Sequence, residues 1–352
     1  MAVLPATEGV LVRTQWESTE LWPRLRLKLK WQLVRISPAN RYAAPGDLWA
    51  IACYFNPAGY RSKLENYVAY DESLAASGIP RLTVECAFED EPFQLPEADH
   101  VLRVRTGAVM WQKERLLNIA AAHLPAACEK VAWLDCDVLF SNPAWAMETS
   151  RQLDEVPVAQ PYAVAIRLPK GAREHTAGDA SDELWGGFAA VYKRHPNLML
   201  RGDFARHGHT GFAWAARREI LARHGLYDAC IAGSGDHMMA HAFCGDFDGR
   251  CVRRIIGEAN MHRDHFLAWS RAVYRDTRAR IGYVPGAVLH LWHGETANRR
   301  YVDRNRELAA FGFDPARHLR AGTDGCWDWT PEGSALNAWA RNYFARRKED
   351  GE

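Results

Sequence analysis

None of the 8 cysteines in this 352-residue chain falls in a Cys-x-x-Cys pair. Cys53, Cys86, Cys128, Cys136, Cys230, Cys244, Cys251 and Cys326 are scattered, which is the layout of neither a zinc site nor a disulfide framework. Long apolar runs are missing too. Nothing approaches the roughly 18 residues of a membrane span, and the amino terminus lacks the basic-then-apolar pattern of a secretory signal. The expectation is a reduced, cytoplasmic protein of bacterial or phage-like type with no transmembrane segment. Charge of either sign is not in excess: Lys+Arg 44 against Asp+Glu 43 leaves +1. No field therefore argues for nucleic acid, and any anion must be held locally. Walker-type loops, a Rossmann fingerprint, GxSxG and HExxH do not occur, which removes several enzyme classes. There is no internal repeat and no low-complexity linker.

What remains is globular: 48% hydrophobic and 25% charged, with enough length for one large domain. The 14 tryptophans invite thoughts of sugar stacking, but most tryptophan in a globular protein is core.

The pattern divides the chain into an amino-terminal extension (1–45), a catalytic domain (46–305) and a carboxyl-terminal extension (306–352) packed on it. Residues 21–36 (LWPRLRLKLKWQLVRI) alternate basic and apolar side chains, as in an edge strand or a surface segment. From residue 48 strands and helices alternate. Strands are expected at 48–55, 81–88, 101–105 and 130–134, and helices at 63–77 and 111–123. Such alternation favours an α/β fold with a mostly parallel sheet flanked by helices, where ligands bind at the strands' carboxyl ends. Later, 185–192, 208–216 and 281–291 read as strands, and 217–225 and 236–243 as helices.

Asp135 and Asp137 follow the apolar strand VAWL. Residues two apart on an extended segment point to one side, so two carboxylates can face one cleft. One would grip a divalent cation, the other a ribose or a metal-bound water. A chain this long holds roughly one Asp-x-Asp by chance, and Asp246 with Asp248 in GDFDG supplies a second copy, read as a solvated turn between glycines. His290 and His293 stand in VLHLWHG, a strand that delivers imidazoles into a loop. Mixed oxygen and imidazole ligation fits Mn2+ better than Ca2+, with Mg2+ the second choice. In GSGDH, Asp236 opens a helix and is either an N-cap or a general base for an acceptor hydroxyl. In WQKERLLN, Lys113 and Asn118 are candidates to reach a nucleotide, with Glu114 and Arg115 on a solvated helix face.

In order, these pieces resemble the GT-A glycosyltransferases, particularly the β-1,4-galactosyltransferase and polypeptide GalNAc-transferase type. KERLLNIA is similar to the family's helix before the metal strand, WLDCDVLF to its strand plus DxD, GHTGFAWAARREILARHGLYDACIAGSGDH to its GG-x-x-A-x-x-R segment with the G-x-G-E-D loop, and VLHLWHG to its late metal-binding strand. The resemblance spans about residues 48–301. It implies a GT-A, Rossmann-like mixed sheet and transfer of a sugar from a nucleotide-diphosphate donor, UDP before GDP, to a hydroxyl of a glycan, polysaccharide or other acceptor. It further implies Asp137 as metal ligand with Asp135 assisting, one of His290 and His293 completing the metal sphere, and the loop 55–61 holding the nucleotide through Phe55, Asn56 and Arg61. Gly211 and Phe212 would line the donor-sugar pocket, and Asp236 would be the base of an inverting enzyme. The sequence departs from the family where Ser234 and Gly235 stand in place of a further acid, and the segment 327–329 (WDW) has no counterpart. A nucleotidyltransferase acting on sugar phosphates is the runner-up, and a catalytically inactive carbohydrate-binding relative the alternative from another class.

Overall fold

The computed structural model describes residues 10–17, 28–34, 48–175, 183–197, 206–301 and 303–351. β1 (Val10–Glu17) pairs antiparallel with β2 (Lys28–Val34), so the alternating segment becomes a strand over its second half. The rest of the amino-terminal extension lies outside the described residues.

β3 (Leu48–Phe55), α1 (Arg61–Ala76), β4 (Arg81–Phe88), β5 (Val101–Thr106), α2 (Lys113–Ala122) and β6 (Lys130–Leu134) follow the sequence expectation within about two residues at each end. Then come β7 (Val138–Phe140), α3 (Trp145–Glu155), β8 (Val158–Gln160), β9 (Val164–Arg167), β10 (Glu183–Gly186), α4 (Phe188–Arg194) and β11 (Ala213–Arg217). Helices α5 (Arg218–His224), α6 (Gly235–Phe243), α7 (Arg250–Ile256) and α8 (Met261–Thr277) precede β12 (Ile281–Tyr283) and β13 (Ala287–His290). The chain continues through α9 (Asp303–Ala310), α10 (Pro315–His318), β14 (Leu319–Ala321), β15 (Trp327–Trp329) and α11 (Ser334–Ala345).

The central sheet runs β12-β8-β11-β6-β3-β4-β5. β3, β4, β5 and β6 are mutually parallel, β12 is parallel to β8, and β11 is antiparallel to both its neighbours. The protein is thus a mixed α/β fold around a mostly parallel sheet. β3 is apolar along its whole length because both faces are covered. Its side chains alternate between two cores. Ile51, Cys53 and Phe55 join Trp133, Trp214 and α2's Leu116, Leu117 and Ala120, whereas Ala50, Ala52 and Tyr54 meet α1's Tyr67, Tyr70 and Leu74. Each large apolar side chain buried there contributes about 1.5–3 kcal/mol.

Three expected strands come out differently. The 185–192 segment is a strand only to Gly186. The Gln160 carboxamide then accepts the Ala189 N–H at 2.8 Å, which starts α4 instead of extending the ladder. The 208–216 segment enters the sheet only at Ala213, because Phe212 takes a left-handed φ of +78°. The 281–291 run breaks at Pro285 and Gly286, the latter at φ +125°. β12 therefore joins the central sheet while β13 joins a second sheet, β10-β9-β13-β7. No helix among the described residues is long and apolar enough to cross a membrane.

Candidate active site

The second sheet builds the candidate metal centre. After β6 the Asp135 N–H donates to Phe212 O at 2.7 Å, and the chain turns into β7. β7 pairs antiparallel with β13, placing His290 opposite Val138, and Leu291 N–H donates to Asp137 O at 2.8 Å. This pairing brings both histidines of VLHLWHG to Asp137. His293 Nε2 lies 3.0 Å from Asp137 Oδ2, His290 Nε2 lies 3.9 Å from it, and the two Nε2 atoms are 3.1 Å apart.

The chemistry of this donor set fits a divalent ion. Burial pushes the Asp137 carboxyl up, but His290, His293 and Arg299 outweigh it and hold the group below the usual carboxylate range. Burial pushes the His290 imidazole well below its usual range, with Asp137 opposing. Asp137 Oδ1 is buried without a hydrogen-bond partner, although 20% of the side chain remains exposed. His293 Nδ1 also faces the buried Glu349 carboxylate at 3.5 Å, an ion-pair contact without a hydrogen bond. Such a carboxylate–histidine pair raises ligand basicity. Arg299 donates to His293 Nε2 at 3.0 Å, so an incoming ion would have to displace that bond.

Beside this centre, the Lys113 ammonium contacts Asp135 Oδ1 and lies 2.5 Å from Asp236 Oδ2. Burial opposes the charge on Lys113, yet Asp135 and Asp236 raise its proton affinity well above normal. Burial pushes the Asp135 carboxyl up to about 6, with Asp236 and Asp137 adding to it and Lys113 opposing. Asp236 is not the N-cap of α6. Ser234 occupies that position at φ +78°, and the Asp236 carboxylate goes to Lys113.

The structure differs from the solvated face expected on α2. Glu114 is 2% exposed, lodged against Gly235, where a Cβ would overlap its carboxyl. Burial raises it to about 8. Arg115 stacks on Trp327 at 4.1 Å and pairs with Asp228 at 3.2 Å, while Gln112 exchanges hydrogen bonds with the Trp327 backbone. The WDW segment is therefore what covers this end of α2.

The remaining candidates are spread out. Asn118 accepts from Leu226 N at 2.7 Å and donates to Leu226 O and Asp228; it is stapled to the loop after α5, and the structure does not bring it to the cluster. Phe55 is core, edge-on to Trp111 and Phe344. Asn56 holds its own turn through Tyr60 N and O, and with Tyr54, Gly59, Glu85 and Gln94 lines a cavity of about 240 Å³ at the carboxyl ends of β3 and β4. Arg61 is a helix-start residue whose exposed side chain pairs with Glu65 at 3.2 Å. Gly211 and Phe212 do sit at the cluster: the Gly211 Cα faces Asp236, and Phe212 stacks on His209 at 3.9 Å and lies 4.7 Å from His290. Asp246 corrects the solvated-turn reading of GDFDG. It is buried, and its Oδ2 lies 2.7 Å from His241 Nδ1, while Asp248 pairs with Arg263 at the surface. Glu349, Arg299 and Glu114 escaped sequence reading. Only a charge within the apolar helix pattern hinted at Glu114, and nothing local hinted at the other two.

No family model matches this sequence, and no curated protein does. Among solved structures, the catalytic domain of Drosophila β1,4-galactosyltransferase 7 with xylobiose aligns over 83% of this chain and 98% of its own, at 10% identity and TM-score 0.37. A mutant of that enzyme with manganese, UDP-Gal and xylobiose gives 10% identity, the same coverage and TM-score 0.39. The 4-diphosphocytidyl-2C-methyl-D-erythritol synthase of Anaerococcus prevotii covers 68% of this chain and 90% of its own, at 10% identity and TM-score 0.32.

Proposed function

We propose that this chain is a glycosyltransferase that moves a hexosyl group from a nucleotide-diphosphate sugar, in our reading a UDP-sugar, to an acceptor hydroxyl. The reading rests on one observation: at the carboxyl end of β6, a ligand triad (Asp137, His290, His293) adjoins a Lys113-bridged pair of carboxylates (Asp135, Asp236). Asp137, His290 and His293 would hold the divalent ion, Mn2+ before Mg2+. Once bound, such an ion stabilises the charge that develops on a departing diphosphate.

The protein's own groups do the rest. Asp135 would assist at the donor's ribose or at a water beside the ion. Lys113 carries a buried positive charge beside the place where the diphosphate would lie, and Arg299 offers a second once released from His293. The cavity beside Asn56 is a pocket for the nucleoside end, and Gly211 with Phe212 leaves room for the donor sugar. Asp236 takes the acceptor hydroxyl's proton as that oxygen attacks the anomeric carbon, which inverts configuration in one displacement. For this, the Lys113 contact must loosen from Asp236 when the acceptor arrives.

The test is calorimetric titration of UDP, GDP, CMP and UTP into wild type and Asp137→Ala, with Mn2+ and with EDTA. We expect UDP to tighten at least about tenfold with Mn2+, a difference of about 1.4 kcal/mol, and the gain to vanish in Asp137→Ala. Preference for the triphosphate would favour a nucleotidyltransferase. Indifference to every nucleotide would leave a carbohydrate-binding protein and end the proposal.

A further inference from the structure

A second cluster of ligand-type side chains lies on the carboxyl side of the sheet, apart from the triad. His207 precedes the segment that ends at Gly211 and Phe212. His237 and His241 stand one turn apart on α6, hence on one face, and Cys251 is in the first turn of α7. All four are buried, at 1%, 6%, 1% and 1% exposure. One ligand atom from each lies within 4.8 Å of every other.

We propose that His207, His237, His241 and Cys251 form a closed, structural zinc site. Zn–N bonds of about 2.0–2.1 Å and a Zn–S bond of about 2.3 Å give tetrahedral edges of roughly 3.3–3.6 Å. Cys251 Sγ and His207 Nε2 are already 3.4 Å apart, and a small contraction brings in the others. The outward ring nitrogens are spoken for. His241 Nδ1 meets Asp246 Oδ2 at 2.7 Å, His207 Nδ1 meets Gly208 O at 2.9 Å, and His237 Nδ1 meets Thr210 Oγ1 at 3.3 Å. Partners of these kinds set the tautomer that leaves Nε2 free to ligate. His241 Nε2 faces the cluster, buried and without a hydrogen bond. An orphaned buried nitrogen costs about 1–3 kcal/mol unless something takes its lone pair.

Charge balance points the same way. A zinc ion with three neutral imidazoles and one thiolate carries a single positive charge, and the buried Asp246 carboxylate behind His241 cancels it. Four protein ligands leave no open position, so the ion holds structure and performs no chemistry. It ties the segment before Gly211 and helix α7 to α6, the helix that carries Asp236 in its first turn.

Zinc is measured by atomic emission on the full-length wild type, Asp137→Ala and Cys251→Ser, each dialysed against a weak chelator. Each protein is then stripped and reloaded with Co2+ for absorption spectroscopy. We expect one tightly held zinc per chain in wild type and Asp137→Ala, and its loss from Cys251→Ser. Co2+-loaded wild type and Asp137→Ala should show tetrahedral d–d bands and a thiolate-to-cobalt charge-transfer band, with the latter absent from Cys251→Ser. If Cys251→Ser fails to fold, the spectra of the other two proteins decide. Absence of the thiolate band from wild type overturns the site, as does equal zinc in wild type and a folded Cys251→Ser. No nucleotide enters these measurements, so the zinc site stands or falls separately from glycosyl transfer.

Discussion

Glu114 and Lys113 are sequence neighbours with opposite demands on the same buried volume. Glu114 is disfavoured as an anion chiefly by burial, partly offset by Lys113, and its folded pKa of about 8 lies above the unfolded 4.5. Between those values the native state holds a proton that the unfolded chain has released, so stability falls as pH rises. Glu114→Gln lacks this loss. Its melting temperature should match wild type near pH 5 and exceed it by several degrees near pH 8.5, as followed by circular dichroism. An unchanged gap across that range would mean that Glu114 is ionised in the fold. Lys113→Met works in the other direction, because it leaves Asp135 and Asp236 facing each other without the cation. Removing one member of a buried ionic network costs about 3–5 kcal/mol. Denaturant unfolding should show that loss at pH 8, and a smaller one at pH 5, where the Asp135 carboxyl, raised to about 6, takes up a proton.

At the scale of elements, α6 begins where it does because Gly235 lets α2 come close. Gly235→Ala should cost about 1–3 kcal/mol by driving a methyl into the Glu114 carboxyl. Most of that loss should return in the double variant with Glu114→Ala, a coupling that a denaturant double-mutant cycle measures. Elements whose identity rests on an unbroken apolar run, such as β3, β4 and β6, were legible in sequence because a strand covered on both faces needs nothing else. Those whose fate depends on a distant partner were not. Past β10, Phe188 N–H turns to His209 O and Ala189 N–H to Gln160, both outside the segment, and Asn142 Nδ2 donates to Pro285 O at 2.9 Å where 281–291 splits. The same divide runs through the site. Asp135, Asp137, Asp236 and both histidines stand out as candidates by their local settings. The bridging of two of them by Lys113 appears only once α2, β6 and α6 are side by side. The buried histidine–cysteine cluster carried one local hint, the four-residue spacing of His237 and His241, which the scattered cysteines had masked.

Across the whole molecule, the carboxyl-terminal residues reach back to the triad. Tyr60 Oη donates to Phe344 O at 2.8 Å, the Asp350 carboxylate accepts from Arg61 and Ser62 N–H groups at the start of α1, and Glu349 lies behind His293. Burial opposes the Glu349 charge, but Lys63, Arg347 and His293 keep its carboxyl well below the usual range. Losing such an outer carboxylate weakens metal binding about 10–100-fold. Glu349→Gln should therefore lower Mn2+ affinity about tenfold or more, read by competition with a fluorescent chelator, while Asp137→Ala abolishes it. Equal affinity in wild type and Glu349→Gln would confine the triad's support to its own strands.

The β7–β13 pairing, which joins Asp137 to His290 and His293, carries a further consequence for how the protein reaches its native state. The two strands are far apart in the chain, with β8, β11 and β12 of the central sheet between them. Closing so long a loop is entropically unfavourable until the intervening structure has formed. The Asp137–His290–His293 triad should therefore appear late in refolding, after the β3–β4–β5 sheet has acquired its secondary structure. In a stopped-flow experiment Mn2+ should slow unfolding and leave the early folding phases unchanged, the metal acting as a latch on a topology already chosen.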